Sequence, residues 1–194
     1  MDDKIVVYLS MHRRLFLQFP LVVSAIATQA RSSKDPQPQK GFKVEGHKDR
    51  YEEELLIMGG QFDCKVSSRD TNGELLIYDT YRHEKGGPAL HIHHRQDEWF
   101  YVISGEFIIK VGEDMFTLRS GDTAFAPRKI PHAFAKISDG PGQMLVLFQP
   151  AGAMEDFFKQ MAKLGPGVPK EQEKNLKQLW HMHGMEIVGP PLKF

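Results

Sequence analysis

The chain has 194 residues, 41% of them hydrophobic, which is enough for one domain with appendages and an apolar core. Lys+Arg and Asp+Glu balance at 25 each, so no basic excess invites nucleic acid and no charge run marks an interaction tail. Cys64 is the only cysteine, which excludes an intrachain disulfide and a thiolate metal cluster; lying in the pattern Phe62, Cys64, Val66, it reads as a small buried hydrophobe.

The chain opens on an address. Residues 11–30, MHRRLFLQFPLVVSAIATQA, place two arginines before an apolar segment and small residues after it, the layout of a signal peptide. The apolar run is too short to span a bilayer, so no stable membrane anchor is expected. His12-Arg13-Arg14-Leu15-Phe16-Leu17-Gln18 resembles the twin-arginine export signal, and Ala25-Ile26-Ala27 or Ala30 offers a cleavage site. The reading is residues 1–30 as a signal and a periplasmic or extracellular protein; the competing reading is a buried N-terminal helix. Residues 31–54 read as a linker and an arm over the domain, polar with two prolines and then charged with isolated apolar residues.

From Leu55 the pattern is strand, turn, strand. Asn72-Gly73 is a hairpin cue before Glu74–Tyr81, and Lys85-Gly86-Gly87-Pro88 breaks the chain before a strand containing His91 and His93. Trp99–Ile103 and Glu106–Val111 are joined across Ser104-Gly105, a tight turn. Gly112-Glu113-Asp114 makes another turn, and Ser120-Gly121-Asp122 ends a strand begun by Phe116 and Leu118. Thr123–Ala126, Ala133–Ile137 and Gln143–Gln149 complete the set. Many short strands with Gly and Pro turns imply an all-β sandwich or small barrel over residues 55–150. After Pro150 the period becomes helical: Met154, Phe157, Phe158, Met161 and Leu164, then Leu176, Leu179 and Trp180 in a second helix opened at Pro169. Residues 151–194 read as a C-terminal helical extension, a lid or brace on the barrel.

The chemistry concentrates in Leu90–Val102. Four of the nine histidines fall between His83 and His94. His91 and His93, two apart on a strand, point to one face, and His94 points away from it. Glu98 shares its face with Phe100 and Val102, so its carboxylate must be paired or metal-bound, because burying it alone is costly. Imidazoles plus a carboxylate suit one divalent transition metal, Fe, Mn, Ni, Cu or Zn, without sharp preference. His83, His181 and His183 lack ligand spacing, and Asp97 is expected at the surface.

His91, His93, four residues to Glu98, and six more to Gly105 resemble the first motif of the cupin superfamily. Gly121, five residues to Pro127, and four more to His132 resemble the second. The departures are Lys85 at the leading Gly of the first motif, Lys129 at a Gly of the second, and Lys136 at its trailing Asn. The resemblance implies an all-β, double-stranded β-helix (cupin or jelly-roll) barrel, with His91, His93, Glu98 and His132 converging inside as metal ligands. The run HIHHRQDEWFYVISGEF looks most like quercetin-dioxygenase-like members. That likeness implies a metal-dependent dioxygenase acting on a small enolic or aromatic substrate, with Glu98 as ligand and proton acceptor. The alternatives are a non-oxidative isomerase or decarboxylase using the metal as a Lewis acid, and a small-molecule-binding protein without turnover. Phe100, Phe107, Phe125 and Phe134 are expected to line the site. Lys136 either faces an anionic substrate group or serves outward or structurally, the second being favoured. Outward Trp99 and Tyr101 are compatible with a homodimer or with a place under the C-terminal helices.

Overall fold

The computed structural model describes residues 40–165 and 173–194, all within one unit, Ser33–Phe194. The export signal and Pro169 lie outside the described residues. Eleven strands follow: β1 Leu56–Ile57, β2 Gly60–Val66, β3 Leu76–Arg82, β4 Ala89–His93, β5 Asp97–Ser104, β6 Phe107–Val111, β7 Asp114–Leu118, β8 Thr123–Ala126, β9 His132–Lys136, β10 Gly142–Gln149 and β11 Met185–Pro191. Two helices, α1 Met154–Lys163 and α2 Glu173–Met182, lie between β10 and β11.

The strands form two antiparallel sheets, in the orders β1-β2-β3-β10-β5-β8 and β11-β4-β9-β6-β7, a double-stranded β-helix. Alternation selects the inner faces. On β5, Glu98, Phe100 and Val102 are buried between exposed Trp99 and Tyr101; on β10, Met144, Val146 and Phe148 face inward. On β3 the inward row is Leu76, Tyr78, Thr80 and Arg82. Trp99 and Tyr101 therefore stand on an open outer surface and not beneath helices.

Several local expectations change in three dimensions. Ser104-Gly105 does turn the chain, with Gly105 at φ 81, but β5 and β6 belong to different sheets, so the turn is a crossing and not a hairpin. A side chain at Gly105 would also meet the Gly142 backbone, its Cβ 3.0 Å from the Gly142 Cα. Asn72-Gly73 does not close a two-residue hairpin. A 3-10 turn, Ser68–Thr71, capped by Ser67 and Asp70, intervenes, and Asn72 ends it in the left-handed region.

Helix α1 buries Met154, Phe157, Phe158 and Met161, the stripe read from its period. Its first turn is fastened by Glu155, whose carboxylate accepts from the Ser67 hydroxyl at 2.8 Å and the Ser68 amide at 2.9 Å. The final segment, apolar and carrying Gly189-Pro190-Pro191, is a strand: β11 pairs with β4, Met185 opposite His93 and Ile187 opposite His91. Among the described residues, no helix is long and apolar enough to cross a membrane.

Candidate metal centre

His91 and His93 project from β4 and His132 from β9, all in one sheet; Glu98 projects from β5 in the other. His91 sits directly opposite His132 across the β4–β9 pair. The loop that delivers His132 is tied to both other strands. The Arg128 guanidinium donates to Asp97 at the start of β5 at 2.6 Å, and the Lys129 amide donates to the His93 carbonyl at 2.7 Å. Asp97 is thus partly buried and ion-paired. Lys129, where the resembled motif has glycine, adopts φ 68, a conformation glycine takes at little cost.

One donor atom from each of His91, His93, Glu98 and His132 lies within 4.8 Å of every other, and all four residues are buried. The Glu98 Oε2 is 2.8 Å from His132 Nε2, 3.2 Å from His93 Nε2 and 3.8 Å from His91 Nε2. Two donors bound about 2.1 Å from one ion at right angles stand about 3 Å apart, so these spacings suit a shared ion. The rings are oriented for it. The Nδ1 of His91 lies 2.8 Å from the Ala89 carbonyl, and that of His132 lies 2.8 Å from the Ile130 carbonyl. A proton held at Nδ1 by a carbonyl leaves Nε2 as the ligating atom. The buried His93 Nδ1 has no such partner.

Electrostatics point the same way. Burial pushes the Glu98 carboxyl upward, but hydrogen bonding from the three imidazoles, His132 foremost, overrides it and holds the carboxyl well below its usual range. Burial drives His93 down to about 4, only partly offset by Glu98, so this imidazole is neutral near pH 7. For His132 burial also opposes the charged form, yet the Glu98 carboxylate outweighs it and raises the pKa. Three imidazoles around one buried carboxylate, with no other anion in the cluster, are a donor set that fits a divalent transition metal.

Three members of the cluster, His91, His93 and Glu98, form part of the wall of a cavity of about 50 Å³. Apart from Arg82 the rest is largely apolar, with Phe62, Phe134, Val146 and Phe148 of the barrel and Phe157 and Trp180 of the helices. The helices therefore close the barrel's interior over the histidines, and Trp180 packs edge-on against His91 with ring centroids 5.0 Å apart. Of the four phenylalanines expected at the site, only Phe134 lines it. Phe100 and Phe107 are core, and Phe125 is 56% exposed, because Ala124 and Ala126 take the inner face of β8. His94 is half-exposed beside Glu186, 3.7 Å away, and lies outside the cluster. His83 and His181 are exposed, and His183 caps α2, its Nδ1 2.8 Å from the Leu179 carbonyl. Lys136 points inward and is fully buried, which corrects the outward placement. Its Nζ donates to the carbonyls of His83 at 3.1 Å and Ser138 at 2.7 Å, a structural role away from the cavity. Cys64 is buried, and burial raises its thiol pKa, as suits an inert packing residue.

The polar or aromatic wall residues Arg82 and Trp180 are among those not expected at the site from the sequence. The period-2 row Leu76, Tyr78, Thr80, Arg82 was the available signal for the first.

Residues 80–148 match the cupin domain family. An uncharacterized protein of Methanocaldococcus jannaschii is 30% identical over 67 residues, 34% of this chain; the match spans about half, 54%, of that protein's length. Similar solved structures include an RmlC-like cupin from Shewanella frigidimarina (27% identical, 58% of this chain and 96% of that one, TM-score 0.44). They also include a predicted oxalate decarboxylase from Thermotoga maritima (16% identical, 48% and 86%, TM-score 0.45). The family match over residues 80–148 spans the strands that carry His91, His93, Glu98 and His132.

Proposed function

We propose that this chain is a metal-dependent enzyme that holds one oxygen of a small organic substrate against the centre formed by His91, His93, Glu98 and His132, and that its principal reaction is O₂-dependent oxidation of an enolic compound. The observation that carries the reading is the convergence of four buried donors, three of which, His91, His93 and Glu98, line a small and mostly apolar cavity. A divalent transition metal bound there supplies Lewis acidity and, with Fe, Mn, Ni or Cu, a redox centre. The protein supplies the rest. Among the described residues Glu98 is the only carboxylate in the cavity wall, so it is the group that would accept the substrate's enolic proton. Phe148, Phe157 and Trp180 exclude water from the reacting atoms. The cavity is far smaller than the roughly 300–1,000 Å³ of drug-sized ligand sites, so the substrate favoured by this conformation is a compact acid or enol and not a polycyclic one.

A second reading, a non-oxidative isomerase or decarboxylase, is favoured by Arg82, a buried cation in the same wall. Metal analysis followed by O₂ uptake with small enols separates the two. The oxidative reading predicts a redox-active metal and O₂ consumption, and a redox-inactive metal with no uptake across the series overturns it. Residues 11–30 support action outside the cytoplasm, and a mature N-terminus near residue 28 or 31 of the exported protein is the expected result. Exposed Trp99, Tyr101 and Phe125 on one outer sheet face support pairing of two copies, which light scattering reads directly.

A further inference from the structure

Arg82 is 7% exposed, and its only hydrogen bond among the described residues runs from Nη1 to the Met58 carbonyl at 2.7 Å. No carboxylate pairs with it. Arg50, Arg119 and Arg128, all nearer solvent, pair with Asp70, Glu106 and Asp97. Burial alone acts on the Arg82 charge and lowers its pKa to about 10, so it remains a cation near neutral pH. Its guanidinium lies above the Phe134 ring, 5.6 Å from the centroid, and Phe134 and Arg82 both line the cavity that holds the His/Glu cluster. The strands flanking it make room: both residues opposite Arg82 are glycines, Gly60 on β2 and Gly142 on β10. A Cβ at Gly60 would come within 3.3 Å of Nη2.

Among the described residues, Arg82 and Glu98 are the only charged residues in the cavity wall. Glu98 is already committed to the histidines, and a divalent ion at the cluster would claim its charge as well. Either way the guanidinium has no counter-charge, and a buried ion without one is costly. A planar fork of donors matches a carboxylate two bonds at a time.

We propose that Arg82 is the anion-recognising residue of this cavity, and that the ligand is a short-chain carboxylic acid. Its carboxylate sits on the Arg82 guanidinium, and an enol, hydroxyl or oxo oxygen at its other end faces the His91/His93/Glu98/His132 cluster. The second contact rests on the reading of that cluster as a metal centre; the first does not.

The test is calorimetric titration of the full-length protein with pyruvate and malonate, against pyruvamide, malonamide and inorganic phosphate. Wild type, Arg82→Met and Arg82→Lys are compared, with metal content measured on every sample. The expected result is that the acids bind and that the amides bind about 100-fold more weakly, since a desolvated charge pair is lost. Arg82→Met weakens the acids by about the same factor at unchanged metal content, with Arg82→Lys in between. Amides binding as tightly as acids, phosphate binding in their place, no binding of either acid, or an Arg82→Met protein with wild-type acid affinity would overturn the proposal. If the wild type carries no metal, the metal reading fails alone, and the acid-to-amide ratio still decides the role of Arg82. If Arg82→Met does not fold, Arg82→Lys and the wild-type ratio decide it.

Discussion

Two buried cations share the inside of this barrel and are satisfied in opposite ways. Lys136 is fully buried and donates to the carbonyls of His83 and Ser138, with its stem against Gly142. Arg82, whose cross-strand partner on β10 is that same Gly142, faces the cavity with a single carbonyl as partner. The difference teaches how to separate structure from recognition in a buried charge. A cation closed by the protein's own acceptors belongs to the fold, and one left facing a cavity belongs to whatever enters it.

The largest effect to test is at the ligands, which decide what shares the cavity with Arg82. His91→Ala or His132→Ala is expected to lower metal affinity by about 100-fold or more, whereas His94→Ala leaves it unchanged. Elemental analysis after dialysis reads this, and equal losses in all three would mean that the ligand set is wrong. Next come the cations themselves. Lys136→Met removes the donor to the carbonyls of His83 and Ser138 and is expected to cost about 3 kcal/mol in chemical denaturation. Arg82→Met strands only the Met58 carbonyl and should cost about 1 kcal/mol, its main loss being in ligand binding.

Gly142→Ala probes the packing between the two. The added methyl would stand 2.9 Å from Phe107 Cζ and 3.0 Å from Lys136 Cδ, and about 2 kcal/mol of destabilisation is expected from overpacking. Proton competition sharpens the picture of the centre. The His132 pKa is raised, so below it a metal must displace a proton, and metal affinity should climb about tenfold per pH unit until that pKa is passed. In metal-free protein the same raised pKa contributes stability that is present below pH 6.5 and lost as pH rises through it. His93, lowered to about 4, acts oppositely, removing stability as pH falls from 6.5 toward 4. Titrations of metal affinity and of melting temperature from pH 5 to 9 check both signs. The smallest effect is at a lysine whose charge plays no part in either arrangement. Lys129→Gly relieves a left-handed backbone and should stabilise the fold by about 1 kcal/mol.

The strand positions were legible because apolar alternation and turn residues are local signals. Alternation set His91 and His93 on one face and Glu98 on a buried one, whereas His132 entered only through the resemblance to the second cupin motif. What alternation does not encode is which sheet a strand joins. Hence the turn at Ser104-Gly105 reads the same whether it closes a hairpin or crosses between sheets, and Phe125 reads as lining when two alanines hold the inner face. Lys136 and Arg82 both fall on inward positions, but whether a carbonyl or a cavity meets the charge is decided by residues distant in sequence. The segment carrying Gly189-Pro190-Pro191 reads from the sequence as part of a helical extension. Pairing with β4 is carried instead by Met185–Ile187, and the register shifts before Pro191.

That pairing sets an order of events in the life of the chain. All four donors have been synthesised once His132 is made, but β4 gains its outer neighbour only when Met185–Pro191 arrives, after the two helices that roof the cavity. Synthesis of all four donors therefore precedes synthesis of the strand that flanks β4. Once that strand has docked, anything that binds the completed centre also holds it in place. Occupancy of the interior and retention of the final segment then become one equilibrium seen from two ends.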